Sequence, residues 1–409
     1  MQPTSPLRRT AGLDTLRACA IALVFMYHYM VFVSHAPTFG WLSTAGWVGV
    51  DLFFVLSGYL IAGQLLRGVQ ARQTLSLWRF YLRRALRTWP AFWVVLAAYF
   101  IFPATMGGKP PPPLWTFLTF TQNIGLQPGT AFSQAWSLCI EEQFYLILPL
   151  ALLAAVALRL RRWQAWCVLG TLVACGIALR AALWHSYGLE QGSQVRGYMA
   201  HIYYASWCRF DEFLPGVAVA LLRHGHPAFW QRLMDHGQEV LLLGLASCAA
   251  LLYGALNFYY IDGYGYGFFM TAFGYSLLAM AFALLVIAAL SPRTLLHRAH
   301  VPGARTLALW SYSIYLIHKP VGNIVGKLAS RWELAAPVTL VATTMLSLAV
   351  GALLYKLVEQ PFMRLRDRLA PSNFAPVAIT AAVLPSHAKQ AGVKNTAPAR
   401  RAQPLGKTR

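Results

Sequence analysis

Charged residues are scarce in this chain: Asp, Glu, Lys and Arg together make up 11% of its 409 residues, and hydrophobic residues make up 57%. Soluble globular proteins carry about 25% charged residues, so the composition excludes an ordinary soluble domain. About ten apolar stretches approach the ~20 residues that a membrane-spanning helix needs. The sequence therefore predicts an all-α, polytopic membrane helix bundle. The stretches lie near residues 14–34, 47–66, 88–105, 137–158, 164–184, 207–222, 238–256, 266–290, 307–326 and 335–357.

Cysteine is also rare, and none of the six cysteines forms a CxxC pair. All of them lie within or beside apolar segments, which is typical of small buried hydrophobic residues. The sequence therefore predicts neither a disulfide framework nor a metal site.

Acidic residues are the scarcest charged type, with 13 against 34 basic residues and a net charge of +21. If the N-terminus is cytoplasmic, the basic clusters around 8–9, 67–87 and 159–162 fall on the cytoplasmic side, as the positive-inside rule requires. An even number of spans then returns the C-terminus to the cytoplasm. The same charge could indicate nucleic-acid binding, but no such motif accompanies it, and contact with anionic membrane lipids accounts for it better.

The composition divides the chain into two parts. A membrane-embedded domain is predicted over residues 1–369. From 370 to 409 the sequence changes to Ala, Pro, Lys, Ser and Asn with weak periodicity, which predicts a disordered basic cytoplasmic tail.

The first apolar segment carries Asp14, Arg17 and His28. Arg17 and His28 are 11 residues apart, about three helical turns, so both leave the same helix face, separated by roughly 16 Å along the axis. Ionisable groups at membrane depth are costly and usually face a protein interior. The pattern predicts a functional site in a hollow that both side chains line.

Two further clusters precede the middle of the chain. Asp51 lies near the outer end of the second segment with Gly58 seven residues on; a substrate-binding role and a helix cap within a packing seam are both open. Arg83, Arg84 and Arg87 lie in the inner loop between the second and third segments. Because Arg83 and Arg87 are four apart, they are predicted to share a face and to clamp phosphate, although membrane topology and lipid contact are the alternative.

The later segments add carboxylates and a histidine. Glu141 and Glu142 enter an apolar run about 100° apart, so they are predicted to serve different partners, with arginines of neighbouring helices the natural ones. Glu142 and Tyr145 are three apart and can share a face. His318 precedes Lys319 and either binds substrate or marks a helix kink or end.

Together these stretches resemble the acyltransferase type 3 family of integral membrane O-acyltransferases. The resemblance implies transfer of an acyl group, often acetyl, from cytoplasmic acyl-CoA to a hydroxyl of a surface carbohydrate or lipid-linked glycan, such as peptidoglycan, lipopolysaccharide or exopolysaccharide. It also implies a multi-pass protein of the bacterial inner membrane. Some members carry a fused extracellular esterase-like domain, for which we expect no room in this chain. The matching runs are LDTLRACAIALVFMYH, GVDLFFVLSGYLI, FYLRRALRTWP, WSLCIEEQFYLILPL, SYSIYLIHKP and VEQPFMRL.

The resemblance places the family's Arg-x10-His pair on Arg17 and His28. We expect His28 to act as the general base, while a covalent acyl-histidine stays open. Arg17 is expected to stabilise charge near the thiol or to position the pantetheine arm, Asp14 to orient Arg17, and Glu142 to orient His28 or the acceptor.

The remaining residues are assigned to binding. The family's inner arginine motif falls on Arg83, Arg84 and Arg87, which are expected to hold the phosphates of acyl-CoA. The family's paired-carboxylate motif falls on Glu141 and Glu142. Acceptor or substrate binding is expected from Asp51, Glu141, Tyr145 and His318.

Two other classes of function remain as alternatives. A membrane transporter or exporter of a glycan or acylated small molecule has similar spans, but it is expected to show interrupted helices in two corresponding halves, which the sequence lacks. A scaffold for polymer assembly would tolerate exchange of Arg17 and His28.

Overall fold

The computed structural model describes residues 10–107, 110–189 and 197–375. Within these residues the fold is almost entirely helical, which confirms the all-α prediction. The principal helices are α1 (Ala11–Tyr29), α2 (Gly49–Gln70), α3 (Leu77–Ile101), α4 (Trp136–Ala157), α5 (Arg162–Tyr187), α6 (Leu214–Gly225), α7 (Gly237–Phe258), α8 (Tyr275–Leu290), α9 (Ala304–Arg331) and α10 (Ala336–Leu354).

Shorter segments extend or connect these helices, and one small hairpin pairs β1 (Tyr260–Ile261) with β2 (Gly265–Tyr266) in antiparallel register. Wider π-helical turns follow α1 and α10 and precede α8. The short helical segments are Met30–Ser34, Trp41–Ala45, Gly46–Val48, Pro103–Met106, Leu114–Leu118, Ser133–Ala135, Met199–Tyr203, Ser206–Arg209, Phe210–Phe213, Pro227–Asp235, Met270–Gly274, Leu295–Arg298, Tyr355–Glu359 and Gln360–Leu369.

In the described part of the chain, seven helical stretches are long and apolar enough to cross a membrane. They contain α1, α2, α4, α5, α7, α8 and α10. Helices α3 and α9 have 25 and 28 residues but carry several basic side chains, and α6 has only 12 residues. The protein is thus an integral multi-pass membrane protein, and the predicted total of about ten spans stays a prediction.

Helices α2 and α8 form the centre of the bundle, where most of their side chains are buried, whereas α5 and α7 turn apolar residues outward. An outward apolar face suits hydrocarbon, so these helices need no amphipathic pattern. The central helices hold the polar side chains described below against the rest of the bundle.

Two glycines allow α2 and α6 to approach closely. A Cβ atom built on Gly58 would lie 2.2 Å from the carbonyl oxygen of Phe213, and one built on Gly216 would lie 2.0 Å from that of Val55. No side chain fits at such distances, which is why small residues occupy close helix crossings in membranes. The packing seam that the sequence indicated at Gly58 is present.

One end of the bundle gathers arginines. Helices α2 and α6 end there and α3 begins there, which places Arg67, Arg87 and Arg223 around one cavity. We call this end the basic end.

The described chain continues beyond the predicted domain boundary at 369. Ala370 is fully buried, the Ser76 amide donates to the Asn373 carbonyl at 3.0 Å, and the Ala375 amide donates to the Thr74 carbonyl at 2.9 Å. Residues 370–375 therefore pack against the connection between α2 and α3, and the rest of the predicted tail lies outside the described residues.

The glycine seam yields a stability prediction. Gly216→Ala should lower the free energy of unfolding by about 1–3 kcal/mol, the usual cost of overpacking, because its methyl group has no space. Gly170→Ala, a change on α5 with nothing within 4 Å, should be neutral or stabilising by up to about 1 kcal/mol. Thermal unfolding of the purified variants in detergent measures both. Equal melting temperatures for the two variants would contradict the close crossing.

Candidate functional site

Two adjoining cavities enter the bundle from the basic end. The basic-end cavity has a volume of about 450 Å³. The deep cavity, of about 120 Å³, lies further along α2. Both are lined by Arg17, Leu60, Gln64 and Arg87, so they meet at these four side chains.

The deep cavity contains three arginines: Arg17 from α1, and Arg84 and Arg87 from α3. Among the described residues, no carboxylate lies within 4.0 Å of any of the three. Arg84 is only 6% exposed, and its Nε has no hydrogen-bond partner. Buried guanidinium groups without a counterion are costly, so this cavity is suited to a bound anion.

Arg83 lies apart from these three arginines. Its guanidinium donates to the carbonyl of Ala370 and lies 3.4 Å from Asp367, at the junction with the segment after α10. Arg83 and Arg87 therefore do not line one cavity, and a phosphate clamp stays a prediction. Arg84 and Arg87, three residues apart, face the deep cavity instead, where Arg17 joins them.

Glu141 also lines the deep cavity, where Ser57 and Tyr145 both donate hydrogen bonds to its Oε1. Glu142 turns away and accepts from Thr88 Oγ1 at 2.7 Å and from Trp89 Nε1 at 3.2 Å. Their separate partners confirm that the two carboxylates face different directions.

One expectation about these carboxylates is wrong. Neither forms an ion pair with an arginine within 4.0 Å in the described part of the chain, because hydroxyl and indole groups supply their hydrogen bonds. By contrast, the expected shared face of Glu142 and Tyr145 is present: both line one further cavity, while the Tyr145 hydroxyl donates to Glu141. Glu142 is held beside α3, so it does not orient His28 in this structure.

His28 forms a hydrogen-bonded pair with His318, its Nδ1 lying 2.9 Å from the Nε2 of His318. The Nδ1 of His318 lies 3.1 Å from the carbonyl oxygen of Ile314, which can only accept. A neutral His318 therefore donates from Nδ1 and accepts at Nε2, and His28 donates from Nδ1. This arrangement leaves the lone pair of a neutral His28 on Nε2.

His318 is thus not at an end of its helix: it is 3% exposed inside α9, two residues before Pro320, and the predicted kink stays a prediction. The next residue, Lys319, is also buried, and its Nζ donates to Ser133 Oγ at 2.6 Å. Lys319 and both histidines line a small cavity of about 10 Å³, close to the lower limit for one water molecule. In the sequence, Lys319 stands out only as a neighbour of His318.

Arg17 and His28 line different cavities, so the predicted common hollow is absent from this structure. Tyr315 provides the connection between the two sites. It lines the deep cavity, where its hydroxyl lies 2.6 Å from Ser137 Oγ and donates to the Gln134 carbonyl at 2.8 Å. Its ring centroid is 5.7 Å from that of His318. The position of Tyr315 between the two sites is visible only from tertiary contacts and not from the sequence.

Asp14 lines the basic-end cavity beside Arg17, yet the two are not within 4.0 Å as an ion pair. Glu359 accepts from Ser313 Oγ at 2.9 Å and lines the same cavity. Neither carboxylate neutralises an arginine of the deep cavity by direct contact.

Asp51 is fully buried and accepts from Arg209 Nη2 at 2.6 Å. Arg209 also bonds to Glu212 and lies 4.1 Å from the ring centroid of Tyr275. The neighbouring Arg180–Asp211 pair is bidentate, and all these charges are inaccessible to solvent. Asp51 does not cap its helix, and it contributes to a network that joins α2 to the segment before α6. The substrate-binding role predicted for Asp51 stays a prediction.

The chain is similar in sequence to several known bacterial proteins. The chain is 31% identical to the peptidoglycan O-acetyltransferase OatA of Listeria monocytogenes over 52% of this chain and 33% of that protein. It is 29% identical to YrhL of Bacillus subtilis over 77% of this chain and 49% of that protein. For the O-acetyltransferase OatA of Staphylococcus aureus the identity is 26%, over 87% and 58%.

This chain therefore spans between about a third and three fifths of the length of these relatives. No solved structure matches it significantly. The family model described as "Acyltransferase domain" matches residues 10–356, which is nearly all of the described chain. The chain therefore belongs to the acyltransferase type 3 family.

Proposed function

We propose that the protein is an O-acyltransferase of the bacterial cytoplasmic membrane, moving an acyl group, most simply acetyl, from acyl-CoA to a carbohydrate hydroxyl. The observation that carries this proposal is the set of three arginines without carboxylate partners around the deep cavity. Family membership and the names of the relatives supply the class of reaction.

The donor is assigned to the two adjoining cavities. Acyl-CoA is cytoplasmic and carries phosphates, and the positive-inside rule puts the basic end in the cytoplasm. Guanidinium groups bind phosphate through charge-assisted hydrogen bonds. Arg17 lies where the cavities meet, roughly 16 Å along α1 from His28. That distance favours positioning the donor over stabilising the thiolate that leaves during transfer.

His28 is proposed as the general base, acting through Nε2. It removes the proton of the acceptor hydroxyl as the oxygen attacks the thioester carbonyl; the carbon–sulfur bond breaks, and the thiolate of CoA receives the proton. Such a base contributes about 10²–10⁴-fold to the rate. His318 positions this base by accepting from its Nδ1. Tyr315 lines the deep cavity and lies beside the histidine pair. We therefore propose that the thioester of the donor meets His28 near Tyr315.

The acceptor is proposed to be a hydroxyl of a cell-wall or other surface glycan, free or lipid-linked. All three relatives compared are named as O-acetyltransferases, and the names of two of them specify peptidoglycan. The histidine pair lies at the end of α1 that is remote from the basic end. This remote end is on the side of the membrane where such glycans are assembled. The small cavity beside His28 must widen to admit a sugar.

The role of His28 generates a prediction for transfer. His28→Gln should lower kcat by about 10²–10⁴-fold, because the amide cannot accept the hydroxyl proton. Acetyl transfer from radiolabelled acetyl-CoA in membranes, with mass spectrometry of the surface glycans, measures the change. Cys19→Ala, an exposed position on the same helix, should retain activity. Full activity of His28→Gln would contradict the base assignment, and a scaffold or transporter would show no transfer in any variant.

The three unpaired arginines generate a prediction for donor binding. Arg84→Gln and Arg87→Gln should each raise KM for acetyl-CoA by about tenfold or more, since a hydrogen bond to a charged group contributes about 1.5–3 kcal/mol. Arg83→Gln is the matched comparison on the same helix. Because Arg83 bonds to the Ala370 carbonyl, its loss should change KM less. The reverse order of the effects would show that the phosphates lie elsewhere.

A further inference from the structure

A second cationic cluster lies at the mouth of the basic-end cavity, away from the arginines of the deep cavity. Arg67 comes from the last turn of α2 and Arg223 from the last turn of α6. Within the described residues, no carboxylate lies within 4.0 Å of either guanidinium. The partner of Arg223 is the neutral hydroxyl of Tyr59, to which its Nη1 donates. Two cations that lack counterions at one opening are suited to a phosphate group.

The cluster is held in place by contacts of its own. Beyond Arg67 and Arg223, the Gln70 side chain donates to the carbonyl of His224, and Gln70 Oε1 lies 2.8 Å from His224 Nδ1. These contacts join the end of α2 to the end of α6. These contacts therefore hold Arg67 and Arg223 in place relative to each other. Neither arginine is in direct contact with a described acidic residue.

An aromatic ring completes the cluster. Trp230 lies on the short helix Pro227–Asp235 that follows α6, lines the same cavity, and has its ring centroid 5.8 Å from the guanidinium carbon of Arg223. An indole face beside arginines is suited to a nucleobase that carries phosphate, because stacking is tolerant of base identity and Arg supplies charge and a planar surface.

The length of the two cavities fits a ligand that is phosphorylated at one end and reactive at the other. Both are lined by α2, from Arg67 at the mouth to Val50 at the deep end. The two residues are 17 positions apart, which corresponds to roughly 26 Å of helix. Along this path the guanidinium groups occur at two levels, first Arg67 with Arg223, then Arg87 with Arg17.

We propose that Arg67, Arg223 and Trp230 form a subsite for the 3′-phosphoadenosine part of the donor, with adenine against Trp230 and the 3′-phosphate on the two guanidinium groups. The proposal rests on acyl-CoA being the donor in the proposed function. The diphosphate then reaches the deeper arginines, and the pantetheine arm extends past Gln64 towards Tyr315. No covalent step takes place at this subsite.

The experiment compares three donors with the full-length protein in detergent: acetyl-CoA, acetyl-3′-dephospho-CoA and S-acetyl-4′-phosphopantetheine. Trp230→Ala should raise KM by about tenfold for the first two donors and leave KM for the third unchanged. Arg67→Gln and Arg223→Gln should raise KM by about tenfold for acetyl-CoA alone. Trp230→Phe should restore most of the affinity, and kcat should not change in any variant.

Phe229→Ala provides the control for Trp230, because it removes an exposed ring on the same short helix. It should leave KM for all three donors unchanged. Equal effects of Trp230→Ala on all three donors would indicate a purely structural role and overturn the subsite. So would an Arg223→Gln variant with unaltered KM for acetyl-CoA.

A binding measurement separates this proposal from the proposed function. Adenosine 3′,5′-bisphosphate should bind the wild-type protein in isothermal titration calorimetry, and Arg223→Gln and Trp230→Ala should weaken that binding by about tenfold. Such binding by a protein that does not transfer acetyl would retain the subsite and reject the donor reaction. Absence of binding would overturn the proposal. Binding that phosphatidylglycerol vesicles alone abolish would also overturn it and would assign the cluster to lipid phosphate.

Discussion

The cost of burying positive charge is the constraint on which the structure depends. An arginine in a membrane protein must find a carboxylate, a set of hydrogen-bond acceptors or a ligand, because hydrocarbon offers none of them. Arg180 and Arg209 are fully buried against Asp211 and Asp51, and they join helices. Arg84 is nearly as buried but has an unsatisfied Nε and faces a cavity. The contrast separates arginines that maintain the fold from those that we propose bind an anion.

The same contrast helps to explain the net charge of +21. Membrane topology accounts for arginines near the basic end, but it does not explain why several line cavities without a carboxylate in direct contact in the described chain. Two such levels, at Arg67 with Arg223 and at Arg17 with Arg87, follow one another along α2. A donor with phosphate groups at two positions would supply an anion to the arginines at both levels.

The sequence predicted features that depend on local periodicity. The helical class, the spacing of Arg17 and His28 on α1, and the divergent directions of Glu141 and Glu142 all follow from 3.6 residues per turn. Periodicity says which residues share a face but not what that face meets. His28 and His318 are 290 residues apart in the chain, and Asp51 and Arg209 are 158 apart. Their pairing depends on helix packing. For that reason the predictions of a common hollow and of arginine partners for the glutamates were wrong.

The most direct test of the account is a cryo-electron microscopy structure with a thioether analogue of acetyl-CoA, which binds but cannot transfer its acyl group. The account predicts continuous ligand density from the basic-end cavity into the deep cavity, with phosphate oxygens within hydrogen-bonding distance of Arg84 or Arg87 and the thioether near Tyr315. A ligand bound outside these cavities, with the guanidinium groups of the deep cavity still lacking an anionic partner, would contradict it.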